Sequence, residues 1–254
     1  MASHFDSVTL LITHYNRSSS LEHLLKSYRA LGCSFGDIVV SDDGSKPEHL
    51  SRLNELKEEY SFNLITTPEN RGLGNNINKG QDAVKTSYTL YVQEDFEPAA
   101  DFALHFGNAL NMMDEKEELD IVRFYSYLKY PYLRPYKNGF SEMLIKPWGF
   151  NYKKIYYYSD HPHLRRTSFF EKFGRYPEGL KGDRTEYLMC VSFIRNKGKG
   201  LFFDDYKALF YQKNSEAEPS TMTYRSKWTQ SNNFFISMVR DLYRQLKYNY
   251  DLNR

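Results

Sequence analysis

The ten residues TLYVQEDFEP, Thr89–Pro98, determine the expected fold. The first four are β-branched, apolar or aromatic, which is typical of a short strand buried on both faces. This strand ends abruptly at two adjacent acids, Glu94 and Asp95. Open α/β sheets bind ligands at the carboxyl ends of their strands, and carboxylates there bind hard cations such as Mg²⁺ or Mn²⁺. The stretch therefore indicates an α/β sheet with a ligand site at this edge, although a solvated turn is the commoner explanation for an acidic pair alone.

Strand-like and helix-like segments alternate before this stretch. Val8–Thr13, Asp37–Ser41 and Phe62–Thr66 are short runs with the composition of strands. Apolar residues three and four apart predict helices between them, the first capped by one of the serines at 18–20, and another helix follows the turn-rich loop at 68–74. This β-α-β-α-β-α-β order predicts an α/β fold with a Rossmann-like, mainly parallel sheet and helices on both faces.

The second half of the chain is less regular. Residues 125–160 have weak periodicity and are rich in tyrosine, proline and lysine, so we predict no elements there. Elsewhere the spacing predicts strands at 121–124 and 201–203 and helices at 101–114, 167–173, 185–197 and 224–250. We expect a single domain, residues 1–254, with an elaborated C-terminal half.

Composition excludes some classes of function. The 254 residues carry a net charge of +2 and contain no long lysine or arginine run, which argues against nucleic acid as a partner. Cys33 and Cys190 match no metal or redox spacing, so we expect free thiols in a reducing compartment. The N-terminus lacks the positive charge and the apolar length of a signal peptide, which predicts a cytoplasmic protein.

The C-terminal tail has the pattern of an amphipathic helix. Its apolar side carries Phe234, Phe235, Met238, Leu242 and Leu246, and its other side carries several arginines and lysines. Such a helix packs against its own domain or lies on a lipid surface, so peripheral contact with the inner face of a membrane stays open beside packing, which we favour.

Two further features have less specific explanations. His161 and His163 are a potential metal pair, but two histidines this close in a loop are more often surface residues. The tyrosines between Tyr125 and Tyr158, together with Trp148, suit stacking on sugar rings and burial in a core equally well.

Three polar clusters are expected at one edge of the sheet. Residues 13–17 follow the first strand, Asp42–Ser45 follows the second, and the Glu94-Asp95 pair follows the fourth. Carboxylates there accept hydrogen bonds from a nucleobase N–H or from ribose hydroxyls, and Arg17 and Arg71 offset the charge of a diphosphate. Each cluster alone also fits an ordinary turn, since Asp-Asp-Gly-Ser is a good turn sequence in its own right.

Four segments have the order and spacing of a known family within residues 1–100. They are Thr13-His14-Tyr15-Asn16-Arg17, the VVSDDGS of residues 39–45, Asn70-Arg71-Gly72 with Asn78 and Gly80, and the acidic strand end at Asp95. The chain resembles a family 2 glycosyltransferase of the GT-A fold. The resemblance implies inverting transfer of a sugar from a nucleotide-diphospho-sugar, a UDP-sugar being favoured, to a hydroxyl of a glycan or lipid-linked acceptor.

The resemblance also implies roles for individual residues. Contact with the nucleoside is implied for Thr13, Tyr15, Arg17 and Asp42, and the floor beside it for Asn70, Gly72 and Asn78. Asp95 is implied as the ligand of a divalent cation, Mn²⁺ or Mg²⁺, with Glu94 near the ribose or the sugar. Residues 1–100 then form the nucleotide-sugar-binding half, residues 101–215 the acceptor-binding and catalytic half, and residues 216–254 a helical tail.

Two positions depart from the family pattern. Gln93 stands where the Asp-x-Asp metal motif has its first acid, which leaves Asp95 alone to hold the cation. Glu186 lies twelve residues before Gly198, where family members often have Glu-Asp, but Tyr187 follows it here. The resemblance makes Glu186 the leading candidate for the catalytic base and Asp183 the second. A favourable contact with the helix dipole is the structural alternative for Glu186.

Two other functions stay open. A sugar-1-phosphate nucleotidyltransferase also holds a nucleotide on a similar sheet, but it needs a glycine-rich loop directly after the first strand, and residues 13–17 contain no glycine. A non-catalytic carbohydrate- or nucleotide-binding module would account for Gln93 and Tyr187.

Overall fold

Strands and helices alternate through the first half of the chain, in a computed structural model that describes residues 2–146, 149–213 and 234–253. The strands are β1 (Ser3–His14), β2 (Cys33–Asp42), β3 (Asn63–Ile65), β4 (Tyr88–Gln93), β5 (Phe96–Pro98), β6 (Ile121–Arg123), β7 (Leu133–Pro135), β8 (Phe140–Met143), β9 (His163–Arg166), β10 (Gly200–Phe203) and β11 (Phe210–Gln212). The helices are α1 (Ser18–Ala30), α2 (Pro47–Tyr60), α3 (Leu73–Asp82), α4 (Phe102–Glu115), α5 (Phe169–Phe173), α6 (Gly182–Arg195) and α7 (Phe234–Asn253), with a 3₁₀ helix at Tyr152–Tyr157.

One large sheet organises the molecule. Its nine strands lie in the order β3-β2-β1-β4-β9-β6-β10-β8-β7, and β11 pairs with β5 in a separate two-stranded sheet. The pairs among β1 to β4 are parallel, as is β6 with β10, whereas β9 and β8 run antiparallel to their neighbours. The predicted α/β class with a mainly parallel sheet is confirmed.

Strand β9 lies antiparallel between β4 and β6, and the sequence did not predict it. Its sequence is HLRR, and His163 and Arg165 are fully buried. Arg165 donates to Gln81 Oε1 at 2.7 Å, which satisfies the charged group inside the sheet. A strand whose buried positions are polar is missed by any search for apolar periodicity. The expectation that the two histidines lie at the surface is therefore wrong for His163.

Helix α1 forms as predicted, but its cap differs from the prediction. Leu21, Leu24, Leu25 and Tyr28 form the buried face, with the spacing of three and four that the pattern predicted. The N-cap residue is Arg17, and no side chain within the described part of the chain caps the helix. The serines at 18–20 instead occupy its first turn, so the capping prediction is wrong.

Apolar clusters cover both faces of the sheet. Alternate residues of β1 point to opposite faces, so that Leu10 and Ile12 join one cluster and Leu11 joins the other. Residues of α1, α2 and α4 complete the first cluster, and residues of α3, α5 and α6 complete the second. Tyr130, Tyr157 and Tyr158 belong to the second core cluster. Trp148 lies outside the described residues.

Helix α7 packs through the side that the sequence pattern did not favour. Leu252 is buried and the Tyr248 ring lies 5.2 Å from that of Tyr187. On the predicted apolar side, the described residues Leu242 and Leu246 are exposed by 60% and 64%. Residues 224–233 of the predicted helix lie outside the described residues. Among the described helices, none combines the length and the hydropathy needed to span a bilayer.

Candidate active site

The carboxyl ends of β1, β2 and β4 meet at one edge of the sheet. The backbone N–H of Asp43 donates to His14 O at 3.0 Å, and that of Glu94 donates to Thr13 O at 3.3 Å. Thr13 Oγ1 also lies 3.0 Å from the hydroxyl of Tyr91 on β4. Three polar clusters from distant parts of the chain therefore converge, as the sequence predicted from the parallel order of the strands.

Asp42 is the buried centre of this edge. Its carboxylate accepts hydrogen bonds from His14 Nδ1 and Thr66 Oγ1 at 2.8 Å, from the N–H groups of Gly44 and Ser45 at 3.1 and 3.0 Å, and from the Ser45 hydroxyl. Burial raises the pKa of this carboxyl, but the hydrogen bonds outweigh burial and hold the pKa well below its usual range. Asp42 has 0% exposure, so it supports the loops around it and presents no surface to a nucleoside.

His14 connects Asp42 to the loop after β1. The N–H of Arg17 donates to His14 Nε2 at 3.2 Å. Because Nε2 accepts this bond, Nδ1 carries the hydrogen and donates it to Asp42. Sequence reasoning assigned His14 no role, although its place between Thr13 and Tyr15, directly at the strand end, was a usable signal.

Asp43 fixes the loop that carries Asn70 and Gly72. Its carboxylate accepts from the N–H groups of Arg71 and Gly72 at 2.8 and 2.9 Å. Gly44, next to it, has a φ of +70°, and a Cβ there would lie 2.4 Å from the carbonyl carbon of Glu69. The Asp-Asp-Gly-Ser segment is thus a joint between two loops, with both carboxylates used in the protein itself.

A cleft opens beside this joint. It has a volume of about 410 Å³ and is lined by Asn70, Arg71, Gly72, Glu178, Gly179 and Leu180. Asn78 lies beneath it, buried, and binds Tyr176 O and Glu178 Oε1, both at 2.9 Å. Asn78 therefore holds the wall of the cleft from behind, whereas Asn70 and Gly72 line it.

Asp95 and Arg17 form the acidic end of the site. Arg17 Nη1 lies 3.2 Å from Asp95 Oδ2 and 3.7 Å from Glu94 Oε1. Gln212 Nε2 donates to the same Asp95 oxygen at 2.9 Å. A cavity of about 730 Å³ extends from this end, with Asp95 and Glu97 on one side and Ser19, Ser20 and His23 of α1 on the other.

The other Asp95 oxygen fits a cation. Asp95 Oδ1 is buried and accepts no hydrogen bond from the described residues, and an orphaned carboxylate oxygen is costly without a partner. The described residues contain no group of three or more histidine, cysteine or acidic side chains that would form a complete metal cage. The donor set present therefore suits Mg²⁺ or Mn²⁺ held by a single carboxylate together with substrate phosphates.

Glu186 lies on the other side of the end of β4. It is half-buried on α6, and Oε1 accepts a hydrogen bond from the N–H of Asp160 at 3.1 Å. Gln93 Nε2 lies 3.4 Å from Asp160 O, so Asp160 connects Glu186 to the last residue of β4. Sequence reasoning did not single out Asp160. Asp183 is exposed in the first turn of α6, and the Tyr187 hydroxyl donates to Asp251 of α7.

The match to known sequences covers the ends of β1, β2 and β4 and stops before Glu186. The family model for glycosyl transferase family 2 matches residues 9–174. Poly-beta-1,6-N-acetyl-D-glucosamine synthase of Staphylococcus aureus strain COL is 28% identical over 90 residues, which are 35% of this chain and 22% of that protein. The corresponding enzyme of Staphylococcus epidermidis is 24% identical over 90 residues, with the same coverage. The chain thus spans about a fifth of the length of these curated relatives.

Solved structures share the fold. S. aureus TarS 1-349 in complex with UDP-GlcNAc has a TM-score of 0.65 at 18% identity, over 96% of this chain and 70% of that one. The mannosyltransferase PcManGT from Pyrobaculum calidifontis, in complex with GDP-Man and Mn²⁺, has a TM-score of 0.56 at 15% identity, over 80% and 56%. Because the family match at residues 9–174 includes the ends of β1, β2 and β4, this chain belongs to glycosyl transferase family 2.

Proposed function

We propose that this chain is an inverting glycosyltransferase that moves a sugar from a nucleotide-diphospho-sugar to a hydroxyl of a glycan or lipid-linked acceptor. The observation that carries the proposal is the meeting of the ends of β1, β2 and β4, with Glu186 joined to that edge through Asp160. Family membership supports sugar transfer. A UDP-sugar is favoured because TarS, which shares the fold, is described with UDP-GlcNAc bound.

The donor lies across the strand ends in this proposal. Tyr15 and Arg17 contact the nucleoside, and Asn70 and Gly72 form the floor beside it. We assign Thr13, Asp42 and Asn78 to the support of these loops, because all three side chains are buried and bonded within the protein. Glu94 lies near the ribose or the sugar. Residues 1–100 are then the donor half, residues 101–215 the acceptor half, and residues 216–254 the tail of one domain.

Asp95 would hold a divalent cation through Oδ1, the oxygen that accepts no hydrogen bond from the residues that the structure describes. A bound Mn²⁺ or Mg²⁺ supplies Lewis-acid neutralisation of charge on the leaving diphosphate. The Arg17 guanidinium, 3.2 Å from Asp95 Oδ2, orients this carboxylate and adds a fixed positive charge. With Gln93 in place of an acid, this end of the site has one carboxylate fewer than the family motif.

Glu186 is the proposed general base. The acceptor oxygen attacks the anomeric carbon from the face opposite the diphosphate, its proton passes to Glu186, and the sugar–phosphate bond breaks. Oε1 is already bonded to Asp160 N–H, so Oε2 receives the proton. General-base assistance is typically worth about 10²–10⁴-fold in rate. Asp183, exposed one turn earlier, is the second candidate.

A lipid-linked acceptor would suit a protein held at a membrane surface. The exposed apolar side of α7, with Leu242 and Leu246, is the proposed contact. Wild-type protein should co-sediment with anionic vesicles, and replacement of both leucines by serine should abolish this. Leu104→Ser is the matched control, since Leu104 on α4 is 64% exposed. Equal sedimentation of all three proteins would remove the membrane contact from the proposal.

A non-catalytic nucleotide-binding module is the second candidate. It is favoured by Gln93 and by Tyr187, whose hydroxyl is committed to Asp251. Hydrolysis of the donor without acceptor, measured as release of nucleoside diphosphate, distinguishes the two. A catalyst should release the diphosphate slowly in the presence of Mn²⁺, whereas a binding module should release none at saturating donor.

A thermal-shift panel of nucleotide-sugars with and without Mn²⁺ tests the proposed donor. A ligand selective for the native state raises stability by about 2.7 kcal/mol at a hundred times its Kd. We expect one UDP-sugar to stabilise the protein, and to do so more strongly with Mn²⁺. The absence of a shift with every nucleotide-sugar would contradict the proposed function.

A further inference from the structure

Asp160 lies between Gln93, at the end of β4, and Glu186 on α6. It precedes β9 by three residues and is 3% exposed. Its N–H donates to Glu186 Oε1 at 3.1 Å, and its carbonyl oxygen lies 3.4 Å from Gln93 Nε2. A carbonyl oxygen only accepts, so the amide nitrogen of Gln93 faces it. The backbone of a single residue, Asp160, thus connects the end of β4 to the proposed base.

The carboxyl of Asp160 is surrounded by titratable groups from several elements. Glu186 faces it from α6, Arg165 from β9, and the hydroxyls of Tyr158 and Tyr176 from the segments on either side of β9. Tyr91 of β4 lies in the same buried layer, and Arg123 of β6 faces Glu186. Burial first, and then the Glu186 carboxylate, raise the pKa of Asp160 well above its usual range.

We propose that Asp160 is a positioning residue for Glu186: its peptide N–H holds Oε1 and its buried carboxyl faces the same side chain, so that Oε2 is left for the acceptor. The inference rests on the proposed function, in which Glu186 is the base. The residue after Glu186 does not supply a second acid, because Tyr187 points to Asp251 on α7. The neighbouring carboxyl comes from the loop before β9 instead.

The charge state of the pair follows from electrostatics. Burial and the nearby Glu186 carboxylate both favour the protonated form of the Asp160 carboxyl. A neutral Asp160 adds no second negative charge beside the proposed base. Glu186 then takes the proton of the acceptor next to a neutral Asp160. Because Glu186 is half-buried, it can pass this proton on to solvent.

A readout that needs no sugar transfer tests the positioning. The amide proton of Asp160, observed in ¹⁵N-labelled protein, should be protected from hydrogen exchange by its bond to Glu186 Oε1. Glu186→Ala, which removes the acceptor, should abolish this protection. An Asp160 amide that exchanges freely in the wild type, or that is protected equally in Glu186→Ala, would overturn the proposal whatever the activity of the protein.

Kinetics then tests the contribution of the carboxyl. Asp160→Ala should lower kcat by about tenfold, a loss of about 1.4 kcal/mol, with the KM for donor changed less than twofold. Asp160→Asn, which mimics the neutral acid, should restore most of this loss at neutral pH and alter the alkaline limb of the pH profile. An Asn variant as slow as Ala, or an Ala variant with wild-type kcat, contradicts the inference.

A different set of results is expected if the proposed function, rather than the positioning role of Asp160, is wrong. If Glu186→Gln transfers sugar at the wild-type rate, Glu186 is not the base, yet hydrogen exchange of the Asp160 amide still reports whether the two residues are bonded. Thermal unfolding of each variant should be monitored in parallel. A variant with a greatly lowered midpoint is replaced by Asp160→Asn, which keeps the side-chain volume.

Discussion

The guanidinium of Arg17 lies 3.2 Å from the carboxylate of Asp95, and both side chains are only 5% exposed. Seventy-eight positions separate the two residues in the chain. The pair joins the loop after β1 to the end of β4 and uses one Asp95 oxygen, which leaves the other for a ligand. In a buried ion pair, the cost of removing both charges from water offsets much of their attraction. We therefore assign this pair to the shape of the site rather than to the net stability of the fold.

Removal of the Arg17 side chain should lower the free energy of unfolding. Arg17→Ala leaves the carboxylate of Asp95 buried without its ion-pair partner, and breaking a buried pair this way typically lowers the free energy of unfolding by about 3–5 kcal/mol. Arg29→Ala is the control, because Arg29 pairs with Glu59 at 3.0 Å but is 54% exposed. An exposed pair contributes about 0–1 kcal/mol. Urea unfolding of both variants measures the difference, and equal losses would contradict the buried role of Arg17.

Asp95→Asn should remove the effect of metal on donor binding. The change keeps the shape of the side chain but removes the charge that would hold a cation. Stabilisation by a UDP-sugar with Mn²⁺ should fall to the level seen without Mn²⁺, and transfer should be lost. Thermal shift and an acceptor assay measure the two effects. Glu97→Gln is the control inside the same cavity, since Glu97 pairs with Lys213 at 2.6 Å. If Asp95→Asn keeps full turnover, Asp95 does not bind the metal.

Glu186→Gln should separate binding from chemistry. Donor affinity should stay within twofold of wild type, while kcat falls by about 10²–10⁴-fold, because the base is lost and the donor contacts are kept. Asp183→Asn is the discriminating variant, since Asp183 is exposed in the first turn of α6. Steady-state kinetics of both variants decides between them. Collapse of turnover in Asp183→Asn alone would transfer the role of base to Asp183.

Gly44→Ala should disturb the joint between the donor loops. Its φ of +70° disfavours any side chain, and a Cβ there would meet the backbone of Glu69 at 2.4 Å. We expect a loss of at least about 1–3 kcal/mol in the free energy of unfolding. Gly107→Ala is the control, because a Cβ at Gly107 on α4 has nothing within 4 Å. That substitution should stabilise the helix by about 0.5–1 kcal/mol, and equal effects of both would refute the constraint.

Local pattern was sufficient for much of the fold. Strands β1, β2, β3 and β4 and the helices between them appear where runs of apolar residues and helical spacing predicted them. The pattern failed where buried positions are polar. Strand β9 carries His163 and Arg165 inside the sheet, and their burial depends on partners such as Gln81, which is 84 positions away from Arg165.

For the candidate site, too, the sequence predicted one part and missed another. Convergence of Thr13, Asp42 and Asp95 was predictable, since parallel strands present their carboxyl ends at one edge. The depth of each side chain was not predictable. Asp42 is enclosed by donors from three segments, and Asp160 meets Glu186 only because β9 runs antiparallel next to β4.

The sequence by itself determined which strands and helices form, their order, and the edge at which acids collect, because these depend on short-range spacing and on the geometry of parallel crossovers. Only the tertiary structure decided which acids face a ligand and which are held inside. Hydrogen bonding and burial set that outcome, and both come from residues far apart in the chain that meet only when the sheet is assembled.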